Sequence, residues 1–178
     1  MRRRHHPGFT IVELTVVIVI IGILMSLAIV NVLNTRITGR DSERQTDIET
    51  LARHFESLYN NSSQSGQTFA SYPGINQAVA ATSPIRDNIN ASVFFSPSAP
   101  VTSTYTNMSI RGATNTAQTP TAIAPQPSAG DTYVYQPFKR DNTLCQDTSP
   151  NPNECVRFNL FYWHEASNQI RKITSQNQ

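Results

Sequence analysis

The sequence predicts an α+β protein in which a long N-terminal α-helix packs on a C-terminal antiparallel β-sheet head. Three observations predict this. Residues 14–33 form a run of twenty in which only Thr15, Gly22, Ser26 and Asn31 are neither strongly apolar nor alanine. No proline interrupts the chain from there to Asn60. Beyond Gly66 the text breaks into short β-prone runs separated by serine, threonine, asparagine and proline. Helix first and strands afterwards argue for segregated elements rather than alternating βα units. The 178 residues suffice for one globular domain of ordinary size with an appendage.

The first element is a basic leader, residues 1–8, with Arg2, Arg3 and Arg4. Without it the body carries eleven basic and twelve acidic residues, so it offers no electrostatic footprint for nucleic acid. The apolar run that follows spans ~30 Å as a helix, the hydrocarbon thickness of a bilayer. The leader's arginines favour an N-terminus in the cytoplasm and the remainder outside. Three uses of such a segment differ in where the chain is cut. A signal peptide is cut after it, and Ser26-Leu27-Ala28 offers a site there. A permanent anchor is not cut. In the third case the cut falls before it, between Gly8 and Phe9, and the helix stays with the mature chain.

Glu13 bears on the choice. An acid in lipid costs ~2.5–3.5 kcal/mol at mid-bilayer and less near the interface. Neither a signal peptide nor a plain anchor needs that penalty, whereas a subunit that pairs with another copy does, because a cation makes the buried carboxylate tolerable. A cut after Gly8 creates such a cation, the free amine of Phe9.

GFTIVEL, from Gly8 to Leu14, resembles the prepilin cleavage and methylation motif of the type IV pilin and pseudopilin superfamily. The resemblance implies cleavage after Gly8 by a prepilin peptidase, N-methylation of Phe9, and Glu13 as the acid that docks subunits. It further implies a helical homo-oligomeric filament, built from membrane-held subunits by a pilus or secretion assembly platform and displayed at the cell surface. Gly22 and Asn31 fall where the family often has glycine and asparagine. Val30 stands where many type IV pilins have a proline, which would remove a hydrogen bond and kink the helix; Gly22 weakens it by only ~1 kcal/mol relative to alanine.

The helix is expected to continue to about Asn60. Ile48, Leu51, Ala52, Phe55, Leu58 and Tyr59 recur at spacings of three and four and share one face, the opposite face being charged. A coiled-coil stalk is the alternative to packing on a sheet, but the stripe lasts only about two heptads. Asn-Asn-Ser-Ser-Gln-Ser-Gly ends the element, and Tyr72-Pro73-Gly74 resembles the aromatic-proline exit of pseudopilins. The expected division is thus a leader (1–8), a transmembrane and assembly half of the helix (9–35), an amphipathic half (36–61) and a β-rich head (62–178).

In the head, strands are expected over residues 91–95, 105–111, 132–136, 156–164 and 169–174, with Glu-Ala-Ser-Asn-Gln as a hairpin turn between the last two. Val156, Phe158, Leu160, Tyr162 and His164 alternate with Arg157, Asn159, Phe161 and Trp163, so one face is apolar early and the other aromatic later. Residues 112–130 carry no charge and no period and read as a solvated loop. Cys145 and Cys155, ten apart, fit a disulfide in an extracytoplasmic domain. Free thiols or half a metal site are the alternatives, and nearby His or Cys partners are lacking.

No catalytic pattern is present: His5, His6, His54 and His164 have neither metal nor triad spacing, and no phosphate-binding glycine loop occurs. No enzyme activity, cofactor or metal is assigned. Asp141, Asn142 and Asp147 offer oxygen ligands suited to calcium, and pseudopilins as a family have a calcium-stabilised loop in this region, but the spacing matches no ligand set. The expected function is a structural subunit of a type IV pilus-type surface filament serving adhesion, motility, DNA uptake or secretion. The alternatives are a single-span membrane protein with an extracellular binding head that does not polymerise, and a type II secretion pseudopilin.

Overall fold

The computed structural model describes residues 8–61, 71–80, 84–86, 88–97, 99, 108–127, 132–146 and 155–177, with the backbone alone at 28–31. The expectations for residues 1–7, 62–70, 105–107 and Asp147 lie outside the described residues. One helix, α1, runs Ile11–Asn60, at the length the uninterrupted sequence predicts. By compactness the chain divides into a unit ending at Ile37 and a unit beginning at Thr38.

Among the described residues of the second unit α1 is followed by a short helix α2 (Ile75–Val79), two 3₁₀ turns (Pro84–Arg86 and Ala91–Phe94) and four strands, β1 (Ile110–Gly112), β2 (Tyr133–Phe138), β3 (Arg157–His164) and β4 (Gln169–Thr174). The strands lie in the order β1-β2-β3-β4. β2, β3 and β4 are antiparallel neighbours, with Leu160 opposite both Tyr135 and Ile173. β1 pairs with β2 in parallel, Ile110 opposite Tyr133. The sheet is therefore mixed rather than wholly antiparallel, because the loop between β1 and β2 is long enough to return the chain to the same end.

The expected strand over 91–95 is a 3₁₀ turn instead. The Asn90 side chain caps it by accepting from the Ser92 amide, a local bond that competes with extended pairing, while Val93 and Phe94 remain buried. β2 extends two residues beyond its expected end to include Pro137, which lies past the reach of β1, where a missing amide on that side costs no ladder bond. Gly112 is required by packing, since a Cβ there would overlap Ile75 Cγ2.

Ile48, Leu51, Ala52, Phe55 and Leu58 form the buried stripe of α1, with Tyr59 partly buried beside it. Phe55 sits 4.8 Å from the ring of Tyr135 and edge-on to Phe158 at 5.7 Å. Tyr133, Tyr135, Phe158, Leu160 and Tyr162 belong to this core. On the other face of the sheet Val134 and Phe161 are covered by Ala113 and Ile123. The stretch after β1 is thus irregular, as expected, yet it is packed in part rather than wholly solvated. The buried Gln136 donates to the carbonyls of Asn115 and Ala117 and accepts from Asn159, which fastens that stretch to the sheet.

Cys145 and Cys155 are disulfide-bonded, Cα to Cα 5.6 Å, and both are fully buried. The bridge closes the β2–β3 connection, for ~2–3 kcal/mol in the chain-entropy account, and its backbone carries neighbours: the Tyr72 amide donates to the Cys155 carbonyl and the Ile75 amide to that of Cys145. The Tyr72-Pro73-Gly74 exit is fixed by the same region, with Tyr72 stacked on Tyr59 at 4.6 Å and bonded to Glu56, and Tyr135 donating to the Pro73 carbonyl.

The stripe does not stop at Ile48. Asp47 beside it, and Arg44 and Asp41 one and two turns earlier, are buried as well, although they are charged. Asp41 accepts from the amides of Glu165 and Ala166 in the β3–β4 turn, both at 2.8 Å. Arg44 donates to Asp41 and to Glu165, and Arg40 grips Glu165 with a two-pronged bond. Burial pushes the Asp41 carboxyl up, but the two turn amides, His164 and Arg44 outweigh it and hold it below the usual range. Arg40 first, then Arg44, hold Glu165 low. A charge is tolerable here because each partner is hydrogen-bonded.

Asp47 differs. Burial pushes its carboxyl up to about 6, against the hydrogen bond from the Tyr133 hydroxyl and with a further push from Glu43. The folded state therefore holds this proton more tightly than the unfolded chain. Its contribution is intact below about pH 4 and is lost as pH rises through about 6. Asp47→Asn keeps an acceptor for Tyr133 and removes the buried charge. The variant is expected to be more stable than wild type by roughly 1–2 kcal/mol at pH 7, allowing for solvent screening, with the difference vanishing at pH 4. Thermal unfolding of both proteins across that range checks it, and a constant or reversed difference would contradict the assignment.

Candidate functional site

The segment that carries chemistry-bearing residues at fixed spacing is the start of α1. Gly8, Phe9 and Thr10 precede the helix in irregular, exposed backbone, and Phe9 is 86% exposed. The Gly8–Phe9 peptide is consequently outside any helix or ladder, the state in which an enzyme can take a chain into its cleft. A methyl group added at Gly8 would meet nothing within 4 Å.

Thr10 and Glu13 close the helix on each other. The Glu13 amide donates to the Thr10 hydroxyl at 3.2 Å, and the Glu13 carboxylate accepts from the Thr10 amide at 3.1 Å and from its hydroxyl at 3.0 Å. The Leu14 amide reaches the Thr10 carbonyl, the first turn of the helix. This is a capping box, in which two otherwise orphaned amides at the helix start are satisfied reciprocally. Thr-Ile-Val-Glu carries the signal for it in the sequence, yet the expectation for Glu13 rested only on an amine. The carboxylate already has a local partner in the uncut chain.

Behind the cap, the described side chains from Ile11 to Leu27 are all exposed. The hydroxyls of Thr15 and Ser26 are turned back on the backbone, Thr15 to the Val12 carbonyl at 2.9 Å and Ser26 to that of Ile23 at 2.7 Å. Such bonds spare an apolar surrounding an unsatisfied donor. α1 is long and apolar enough to cross a membrane, and its apolar window is unburied.

Residues 3–29 match the family model described as the prokaryotic N-terminal methylation motif. The chain carries the type IV pilin and pseudopilin signature. Gly8, Phe9, Thr10 and Glu13 all lie within the matched span. The motif is that of structural, pilin-type proteins, and it implies processing by a prepilin peptidase and assembly from the membrane. With the apolar helix, it points to a chain first anchored in a membrane and then exposed at the surface. No curated protein and no solved structure matches the chain.

The other residues singled out in the sequence fall elsewhere. His54 donates from Nε2 to the Ile85 carbonyl, and His164 Nδ1 accepts from the Ser167 amide beside Asp41. Asp141 accepts from the Thr143 amide and hydroxyl, and Asn142, at φ 65°, accepts from Arg157. Those oxygens are committed to a tight turn. Among the described residues no group of three or more His, Cys, Asp and Glu is placed to hold a metal ion.

Thr10→Val removes the hydroxyl of the box while keeping the side chain's size. The loss is expected to be about 1 kcal/mol, seen as roughly fivefold faster amide exchange at Glu13 and Leu14 in micelles with residues 18–24 unchanged. Unaltered exchange at Glu13 would show that the cap does not hold this end.

Proposed function

We propose that this chain is a structural, pilin-like subunit: inserted with its leader in the cytoplasm, cut by a prepilin peptidase between Gly8 and Phe9, N-methylated on Phe9, and polymerised through α1 into a thin surface filament. The observation that carries this reading is the match to the methylation motif over residues 3–29, in which Gly8 and Phe9 lie exposed directly before a helix whose apolar surface is unburied. Partner exchange is the physical mechanism. Lipid surrounds the apolar helix before assembly and sister helices surround it afterwards, so burial changes little while packing and charge pairing select the register.

Glu13 supplies that register. Both of its bonds to Thr10 fall on Oε2, which leaves Oε1 to accept from the Phe9 amine of its own or a neighbouring copy. Pilus, secretion and DNA-uptake machines share the motif, and the reading covers a pseudopilin equally. An anchored binding head that never polymerises is the rival from another class. Mass spectrometry of the N-terminus of material from the native host separates them. N-methylphenylalanine at position 9 is expected; a chain starting at Met1 indicates the anchor, and one starting at Ile29 an exported domain.

Gly8→Ala is expected to leave an unprocessed precursor, heavier by the leader on gels, and no filaments. Because the added methyl group meets no atom within 4 Å, failure of processing reports the peptidase's requirement rather than a disturbed fold, and normal processing removes the cut site. Glu13→Val is expected to be cleaved normally but under-represented about tenfold in filaments grown in competition with wild type, the discrimination that roughly 1.4 kcal/mol gives. Equal incorporation would take the register role from the carboxylate.

A further inference from the structure

The far face of the sheet holds a cavity of about 540 Å³ that assembly does not explain. Its aromatic wall is Trp163, the chain's single tryptophan, which is only half-buried near the end of β3. Phe161, two residues earlier, is sealed by Ala113 and Ile123, but that cover ends before Trp163. Ile170, opposite Trp163 in the β3–β4 pair, and Pro120 complete the apolar part. The rim is polar and uncharged: Thr121 and Gln126 come from the loop after β1, Asn168 and Gln169 from the hairpin turn, and all four are exposed.

We propose that this cavity binds an uncharged saccharide. A sugar ring offers a face of C–H groups and an edge of hydroxyls that both donate and accept. The complement is a flat aromatic surface beside amides and a hydroxyl, groups that likewise do both. Among the described residues no Lys, Arg, Asp or Glu lines the cavity, so none of them there attracts or neutralises a charged ligand. The volume lies within the range of small-ligand sites.

The loop that forms one side is fastened in advance. Asn115 holds it across the neck, donating to the Ala122 carbonyl and accepting from the Ala124 amide, and the Thr114 amide donates to the Ala124 carbonyl. Gln126 donates to the Thr121 carbonyl at the rim itself. Ile123 is buried beneath and Gln136 holds the loop's first residues, at Asn115 and Ala117. Ordering that loop therefore costs little at the moment of binding, which raises the affinity a few contacts can give. The site stands whether or not the chain polymerises.

Because Trp163 is the only tryptophan, its fluorescence reports the site directly. The full chain, purified in a detergent without a sugar headgroup, is titrated with glucose, galactose, mannose, N-acetylglucosamine and their disaccharides. A saturable change in emission is expected for at least one, with a dissociation constant on the order of a millimolar, as about a dozen non-hydrogen atoms support. Gln169→Ala keeps the fluorophore and is expected to weaken binding at least fivefold. Trp163→Ala is expected to abolish saturation transfer from protein to sugar in NMR, while its unfolding midpoint establishes that the head is intact. No saturable response to any of these sugars overturns the proposal. So does a response unchanged in Gln169→Ala, or a Trp163 emission that shifts to the blue only on polymerisation, which would mark the cavity as a contact between copies.

Discussion

Water is the wrong solvent for the first half of α1. The described side chains from Ile11 to Leu27 are exposed, and burying each large apolar one is worth ~1.5–3 kcal/mol. Whatever surrounds this helix in the cell must be as apolar as the helix is, and must meet it on every side, since no face is reserved for solvent. Lipid satisfies that demand and so do copies of the same helix. Everything proposed for the chain follows from the near-equivalence of those two surroundings, because a segment that is equally content in either can be transferred between them by weak, specific contacts.

The second half of the helix solves a different problem with one face. Two turns of apolar residues meet the sheet, and the turns before them meet it through ions. Asp41 takes both amides of the β3–β4 turn, and Arg44 lies between Asp41 and Glu165. An apolar contact there would let the hairpin slide along the stripe. Hydrogen bonds to fixed amides do not, so the ionic part sets the register that the greasy part cannot. The disulfide, within the core that α1 shares, and Gln136, against the loop after β1, perform the same duty, each pinning an irregular segment.

Local pattern made much of this legible. The helix could be read to within a residue at its C-terminal end because periodicity and the absence of proline agree with the asparagine-rich stop. β3 and β4 were legible for a similar reason, as Val, Phe, Tyr and Ile alternate around a turn that ends in Asn168, which tolerates its left-handed φ of 53°. What escaped depends on distant partners. Nothing local marks Asp41 or Arg44 as buried, since their partners lie more than a hundred residues away. The parallel pairing of β1 was hidden in the same way, as was the burial of Ile123 within an apparently featureless loop. The 3₁₀ turn at Ala91–Phe94 was a misjudged local competition, with Asn90 overriding a run of β-formers. At the candidate site the cleavage motif was plain, while the Thr10 half of the capping box was present in the text but overshadowed by the acid.

The capping box has a consequence for what removal of the leader would change. Thr10 and Glu13 both lie downstream of the Gly8–Phe9 bond, so the helix would keep its starting knot whether or not the leader is present. Precursor and product would then share one backbone from Phe9 onward, and loss of the leader with Arg2, Arg3 and Arg4 would set a new charge at its start. That charge, an ammonium, would arrive beside the positive pole of a long helix, where cations are unwelcome. A cut with no effect on the fold beyond Phe9 would thus place a new cation at the head of an apolar helix, where only an acid could answer it.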